Sequence, residues 1–237
     1  HPQSRRQDDK NSLPNKNLSS RRIRFCCSGS RSLKYMTTEH KLAKQEFRIA
    51  QMLEGVLSGM NPKRSLAELT DNALDETPKG AKAEVVITFD PNPHNPRMYF
   101  EHRNTTGMSA EEMGKFPIWG EHYTDTDKIK EWGWGGKLAT ISWLDKEQGS
   151  VTITSRPPGL THGYKMEIRN WWQRLTPEEH FPIDTFETNE SEKKGFTRFE
   201  LEDVRKELIP TNLGEMAEYL GLTYGPLIDT GRLNILL

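Results

Sequence analysis

Cysteine is scarce: it occurs twice in 237 residues, at the adjacent positions Cys26 and Cys27. Neighbouring cysteines cannot supply the spaced ligand pairs of a structural zinc site, nor staple a small secreted fold, so nothing points to an oxidising compartment. Long apolar runs are absent too. None approaches the roughly 20 residues that cross a bilayer, and none follows the basic N-terminal residues as a secretory signal would require. With 18 glycines and 14 prolines a collagen-like chain is excluded, and no internal repeat is visible. What is there is a chain of 33% hydrophobic and 28% charged residues. Its length suits one large domain or two small ones, with a core of modest size.

Net charge is nearly absent as well, with 33 Lys+Arg against 34 Asp+Glu and a formal charge of −1. That balance hides an asymmetry. Residues 1–35 carry nine basic and two acidic residues, so the remainder carries a net −8. The first 35 residues are rich in Ser, Asn, Arg and Gln without apolar periodicity, and a segment of that composition cannot bury enough surface to offset chain entropy. We expect a disordered basic leader over 1–35 and a folded unit over 36–237, with Met36 close to its natural start. A basic arm suits nucleic acid or an anionic lipid surface, an Arg/Ser-rich organelle transit peptide is a second reading, and a solvated leader is the plainest.

Over 38–57 the apolar residues Leu42, Phe47, Ile49, Met52, Leu53, Val56 and Leu57 recur at spacings that suit an amphipathic helix, closed by Gly59 and Pro62. The sequence predicts a second helix from Ser65 to Glu76, with Ser65 as N-cap and Glu68 completing a capping box. Two β-rich runs, AEVVITF (83–89) and RMYFEH (97–102), flank a Pro/Asn-rich loop and read as a hairpin. A short polar helix near 109–115 and a long loop over 116–136 follow. Next come a helix over 137–144, strands near 150–155, 163–169 and 195–201, a helix over 213–219 and a terminal strand LNILL. This order is α+β rather than a strict βαβ alternation.

On the second predicted helix Glu68, Asn72 and Asp75 stand at i, i+4 and i+7 on one face, with Leu66, Leu69, Ala73 and Leu74 covering much of the other. Two carboxylates flanking an amide can hold a hard cation through the amide oxygen, orient a water and accept its proton. Taken alone, such a face is more often simply solvated. Two glycine-bearing segments add to it. Arg103-Asn104-Thr105-Thr106-Gly107-Met108 follows a β-run, and Gly133-Trp134-Gly135-Gly136-Lys137 precedes a helix, where exposed backbone N–H groups and a lysine suit phosphate.

These segments, in this order and with Gly195-Phe-Thr197-Arg-Phe-Glu-Leu on a later strand, resemble the GHKL ATPases, the superfamily of DNA gyrase B, Hsp90-type chaperones, histidine kinases and MutL. The helix, the glycine turn and Tyr219-Leu-Gly-Leu-Thr-Tyr224 are most similar to the MORC group of chromatin-associated ATPases. The resemblance spans about residues 40–237. It implies a Bergerat-type two-layer α/β sandwich, a mixed sheet covered on one face by helices, with a lid over ATP. Glu68 would be the general base, Asn72 the Mg²⁺ ligand, and Asp75 a support of the nucleotide site. Asn104, Gly107 and Met108 would lie beside adenine. Gly133, Gly135, Gly136 and Lys137 would close on the phosphates, and Thr197 would help hold adenine from the facing strand. Arg103 stands where the superfamily has its adenine-reading aspartate, and Glu101, two residues earlier, is the acid that could replace it.

The resemblance further implies an ATP-dependent homodimer, a domain that continues beyond Leu237, an intracellular setting, cytoplasmic or nuclear, possible contact with DNA or chromatin, and no membrane. A non-catalytic interaction module with the same fold is the rival reading, on account of Arg103. The histidines, His102 among them, read as ordinary polar residues in loops or at strand ends, and Trp119, Trp132, Trp134 and the Trp171-Trp172 pair as core or lid packing.

Overall fold

The computed structural model describes residues 49–117, 135–171, 180–188 and 194–237, all within the unit Glu46–Leu237. Among the described residues seven strands are formed: β1 Ala83–Asp90, β2 Arg97–Thr105, β3 Ser150–Arg156, β4 His162–Arg169, β5 Ile183–Glu187, β6 Gly195–Glu202 and β7 Leu233–Leu236. They make one sheet in the order β5-β4-β3-β6-β2-β1-β7. Every neighbour pair is antiparallel except β1–β7, so the sheet is mixed. The α-helices among the described residues, α1 Ile49–Leu57, α2 Pro62–Asp75, α3 Ala110–Lys115, α4 Gly135–Ile141 and α5 Leu213–Asp229, complete an α+β fold. Among the described residues no helix is long and apolar enough to cross a membrane.

Register decides which side chains meet the helices, because successive residues of a strand point to opposite faces. Ile153, Phe199, Phe100 and Ile87 form one row across β3, β6, β2 and β1, and Val151, Leu201 and Met98 form the next. Both rows belong to the buried core, together with Leu66, Leu69 and Ala73 of α2 and Leu138, Ala139 and Ile141 of α4. Burial of this kind stabilises by roughly 1.5–3 kcal/mol for each large apolar side chain. The expected hairpin is present, with β1 and β2 paired from Glu84↔Arg103 to Asp90↔Arg97. The short polar helix is α3, closed by a capping box between Ser109 and Glu112.

Three expectations are corrected. The second helix starts earlier than Ser65: Asn61 is its N-cap, its side chain accepting from Arg64 N at 2.9 Å, and Pro62 opens the first turn with its preset φ. Ser65 is instead a buried tertiary hub, donating to the Ala139 carbonyl at 2.7 Å and accepting from Trp143 Nε1 at 2.6 Å. The last helix does not stop at Tyr219 but runs to Asp229 through Gly221, Gly225 and Pro226, held by the buried Met216, Leu220 and Tyr224. A further strand, β5, pairs with β4 at the sheet edge where no strand was predicted. The expected leader, the first part of the first helix and most of the long loop lie outside the described residues.

Candidate functional site

Helix α2 carries the candidate site residues Glu68, Asn72 and Asp75, and α4 lies against it. Glu68 and Asn72 are half-buried on the side that meets the start of α4, while Asp75 is exposed at the last helical position. The contact is close. A Cβ on Gly135 would stand 2.7 Å from Glu68 Oε2, and one on Gly136 would stand 2.5 Å from Asn72 Nδ2. Real Cβ atoms do not approach so closely, so a side chain at either position would push the Glu68 carboxylate or the Asn72 amide aside. The sequence places these four residues apart; the fold brings them together as a carboxylate and an amide facing main chain. Lys137, next in α4, is only 3% exposed. Gly133 lies outside the described residues.

The far end of α2 is latched to the end of β2. The Glu76 carbonyl accepts from Thr106 N at 2.9 Å and from Thr105 Oγ1 at 3.2 Å, which occupies an otherwise orphan carbonyl at the helix C-terminus. Thr105 Oγ1 in turn accepts from Gly107 N at 3.3 Å. Gly107 has φ +64°, and a Cβ there would meet the Arg156 carbonyl at 2.5 Å. A β-bulge lies between Arg103 and Thr105, with Asn104 at φ +62° as the extra residue. The Asn104 amide donates to the Lys82 carbonyl at 2.9 Å, so it is committed to the bulge.

Beyond the two apolar rows of the inner face runs a polar one: Ser155, Thr197 and His102, side by side on β3, β6 and β2. Thr197 is fully buried, and its hydroxyl lies 2.8 Å from Ser155 Oγ. Ser155 has one hydroxyl proton, which it gives to the Phe196 carbonyl at 2.9 Å, so Thr197 is the donor in the pair. Ser155 also accepts from Met108 N at 2.7 Å. Thr197 therefore acts on the turn after β2 through Ser155. His102, expected to be an ordinary polar histidine, is 3% exposed, with Nε2 3.5 Å from Glu76 Oε2. Sequence reasoning missed Ser155, His102 and Glu76, because only strand register and the end of α2 bring them together.

Arg103 and Glu101 lie on the opposite face. Arg103 Nε donates to Glu101 Oε1 at 2.5 Å, and Arg198 Nε donates to Glu101 Oε2 at 2.6 Å. Burial raises the Glu101 pKa, but the hydrogen bonds and charges of Arg103 and Arg198 outweigh it and hold the carboxyl below its ordinary value. The expectation that Glu101 could serve the helix side in place of Arg103 is thereby corrected: strand parity turns both away from α2.

No protein-family model and no curated protein matches the chain. Among solved structures it is similar to the ATPase region of Saccharomyces cerevisiae topoisomerase II bound to ICRF-187 (dexrazoxane), at 14% identity and a TM-score of 0.46. A second structure of that ATPase region is similar at 13% identity and a TM-score of 0.41. In both cases 74% of this chain and 47% of the other are covered, so the chain spans about half the length of the structures it matches.

On the outer flank of α2, the Tyr224 hydroxyl of α5 contacts Asp71 Oδ1 at 2.7 Å and the Ala67 carbonyl at 2.9 Å. Burial, then the hydrogen bond to Asp71, pushes the Tyr224 pKa far above its ordinary value, so it remains a neutral donor. Among the described residues no group of three or more His, Cys, Asp or Glu is placed to hold a metal ion. A divalent cation here would depend on Asn72 or Glu68 together with oxygens brought by a ligand.

Proposed function

We propose that this chain is an ATP-binding domain of the GHKL superfamily and that it hydrolyses ATP with Mg²⁺. The observation that supports this reading best is the packing of Gly135 and Gly136 onto Glu68 and Asn72. It sets a carboxylate, an amide and close main chain at one point. Hydrolysis of a phosphoanhydride asks for little more, since it depends on positioning and charge neutralisation rather than covalent catalysis. Glu68 orients the attacking water and accepts its proton. Asn72 presents a neutral oxygen of the kind Mg²⁺ takes beside phosphate oxygens and waters, so the residues fit the ion. When bound, Mg²⁺ neutralises charge on the phosphate oxygens. Asp75 supports the site from the next turn, the Asn104–Met108 turn lies at the base end, and Gly133 and Lys137 are assigned to the phosphate end.

In this reading, residues 36–237 are the nucleotide domain of a longer MORC-like or Hsp90-like protein that dimerises as its lid closes on ATP. The basic leader over 1–35 would supply any contact with DNA or chromatin. A non-catalytic interaction module is the second reading, and the burial of Lys137 and Thr197 favours it.

A thermal melt with and without Mg²⁺-ATP decides between them. Ligand at about 100 times its Kd adds roughly 2.7 kcal/mol, a midpoint rise of about 5–11 °C for a domain of this size. A rise in the wild type that Asn72→Ala abolishes supports the nucleotide site; no rise up to millimolar ATP overturns it and leaves the interaction module. Glu68→Ala is expected to keep the rise and lose turnover, and undiminished turnover would remove Glu68 from its role.

A further inference from the structure

The nucleotide reading fixes one end of the ligand, and this inference rests on it. If the terminal phosphates sit where Gly135 and Gly136 meet Glu68 and Asn72, the base lies further along α2. Glu76 lies eight positions after Glu68, and at 1.5 Å per residue that is about 12 Å along the helix axis, a span comparable with an extended nucleoside triphosphate. Glu76 is the first residue past α2, and its backbone is fixed by Thr105 and Thr106. Its side chain is 24% exposed, with Oε2 3.5 Å from both His102 Nε2 and Thr105 Oγ1. The carboxylate is thus oriented at the junction of α2 with the polar row of the inner face. Asp75, one residue earlier, keeps to the helix face of Glu68 and Asn72 and is exposed. Arg103 and Glu101 are on the far side of the sheet, tied to each other.

We infer that Glu76 reads the nucleobase, its carboxylate accepting a hydrogen bond from the exocyclic amino group of a 6-aminopurine, with one of its oxygens facing His102 Nε2 and Thr105 Oγ1. A carboxylate offers about four lone-pair sites and no donor, so it accepts a further N–H beside its present neighbours. It repels the lone pairs of a 6-oxo group in the same place.

The test is a calorimetric titration of the full chain with Mg²⁺-ATP and with purine riboside 5′-triphosphate, which differs only in lacking the 6-amino group. The wild type is expected to bind ATP about ten- to a hundredfold more tightly, the range for a hydrogen bond to a charged group. Glu76→Ala should lower ATP affinity towards that of the analogue and leave the analogue's own affinity nearly unchanged. Glu76→Gln, which keeps the side-chain volume, should fall between. Arg103→Asp should leave the ratio of the two affinities where it was. Equal binding of the two ligands by the wild type overturns the inference while leaving the nucleotide site standing, as does a tenfold gain in selectivity from Arg103→Asp. Failure of both ligands to bind the wild type overturns the nucleotide reading and this inference with it.

Discussion

Along β2 the even-numbered residues Met98, Phe100 and His102 are buried beneath the helices, while Arg97, Tyr99, Glu101 and Arg103 alternate with them on the opposite face. The helix-covered face is held by apolar contact over most of its area and turns polar at the row that holds Ser155, Thr197 and His102. The outer face is a ladder of ion pairs, Arg97–Glu202, Glu101 with Arg103 and Arg198, and Glu167–Arg169. The same strands therefore obey two sets of rules. Removing volume is costly on one face, and changing charge is inexpensive on most of the other, because exposed pairs are screened by water and salt.

Adjacent residues of β1 give the strongest contrast. Ile87→Ala on the buried face is expected to lower unfolding stability by about 2–5 kcal/mol, and Thr88→Ala, its exposed neighbour, by no more than about 0.5 kcal/mol. Denaturant titration of both variants measures the difference, and similar values would break the assignment of faces. Gly136→Ala comes next, because its Cβ would displace the Asn72 amide; weakened Mg²⁺-ATP binding is expected, while helix propensity offsets the packing cost in stability. Ser65→Ala follows at about 1–3 kcal/mol, since the buried Trp143 indole loses its acceptor.

Glu101→Gln probes an outer-face acid that is largely buried, and the expected loss at pH 7 is about 1–2 kcal/mol. The sign of its pH dependence follows from the lowered pKa. The native carboxylate contributes fully above its ordinary unfolded value, and that contribution disappears as pH falls through the lower folded value. Wild type and Glu101→Gln should therefore converge in stability under acid, and a gap that stays constant would show that the clamp is not electrostatic. Arg169→Ala, at the most exposed rung, should leave the melting midpoint within experimental scatter.

How legible all this was depended on the range of the interaction. The β1–β2 hairpin and α3 were readable because turn chemistry and capping act over a few residues. The series Glu68, Asn72 and Asp75 was readable because helical periodicity is local too. The start of α2 was misplaced because Ser65, a plausible cap by type, is claimed by Trp143 and Ala139 more than 70 positions away. Helix α5 continues through two glycines and a proline because buried Leu220 and Tyr224 outweigh poor intrinsic propensity. Strand β5 is short, sits at the edge and is only partly buried, so its pattern is faint. The faces of Glu101 and Arg103 share one parity and could be guessed, but which face meets α2 is a tertiary fact. The bulge at Asn104 then reverses that parity, so Thr105 rather than Thr106 turns inward.

Strand β7 runs parallel to β1, and the chain enters it directly from α5 through Gly231. Tension applied at Leu236 along the strand would load the β1–β7 hydrogen bonds together, in shear, rather than opening them one at a time. The same pull would pass back through α5 to Tyr224 and its bond with Asp71, on the helix that bears Glu68 and Asn72. The helix that carries the candidate chemistry therefore lies on the load path of this edge of the sheet, and mechanical work done there would be felt at the site.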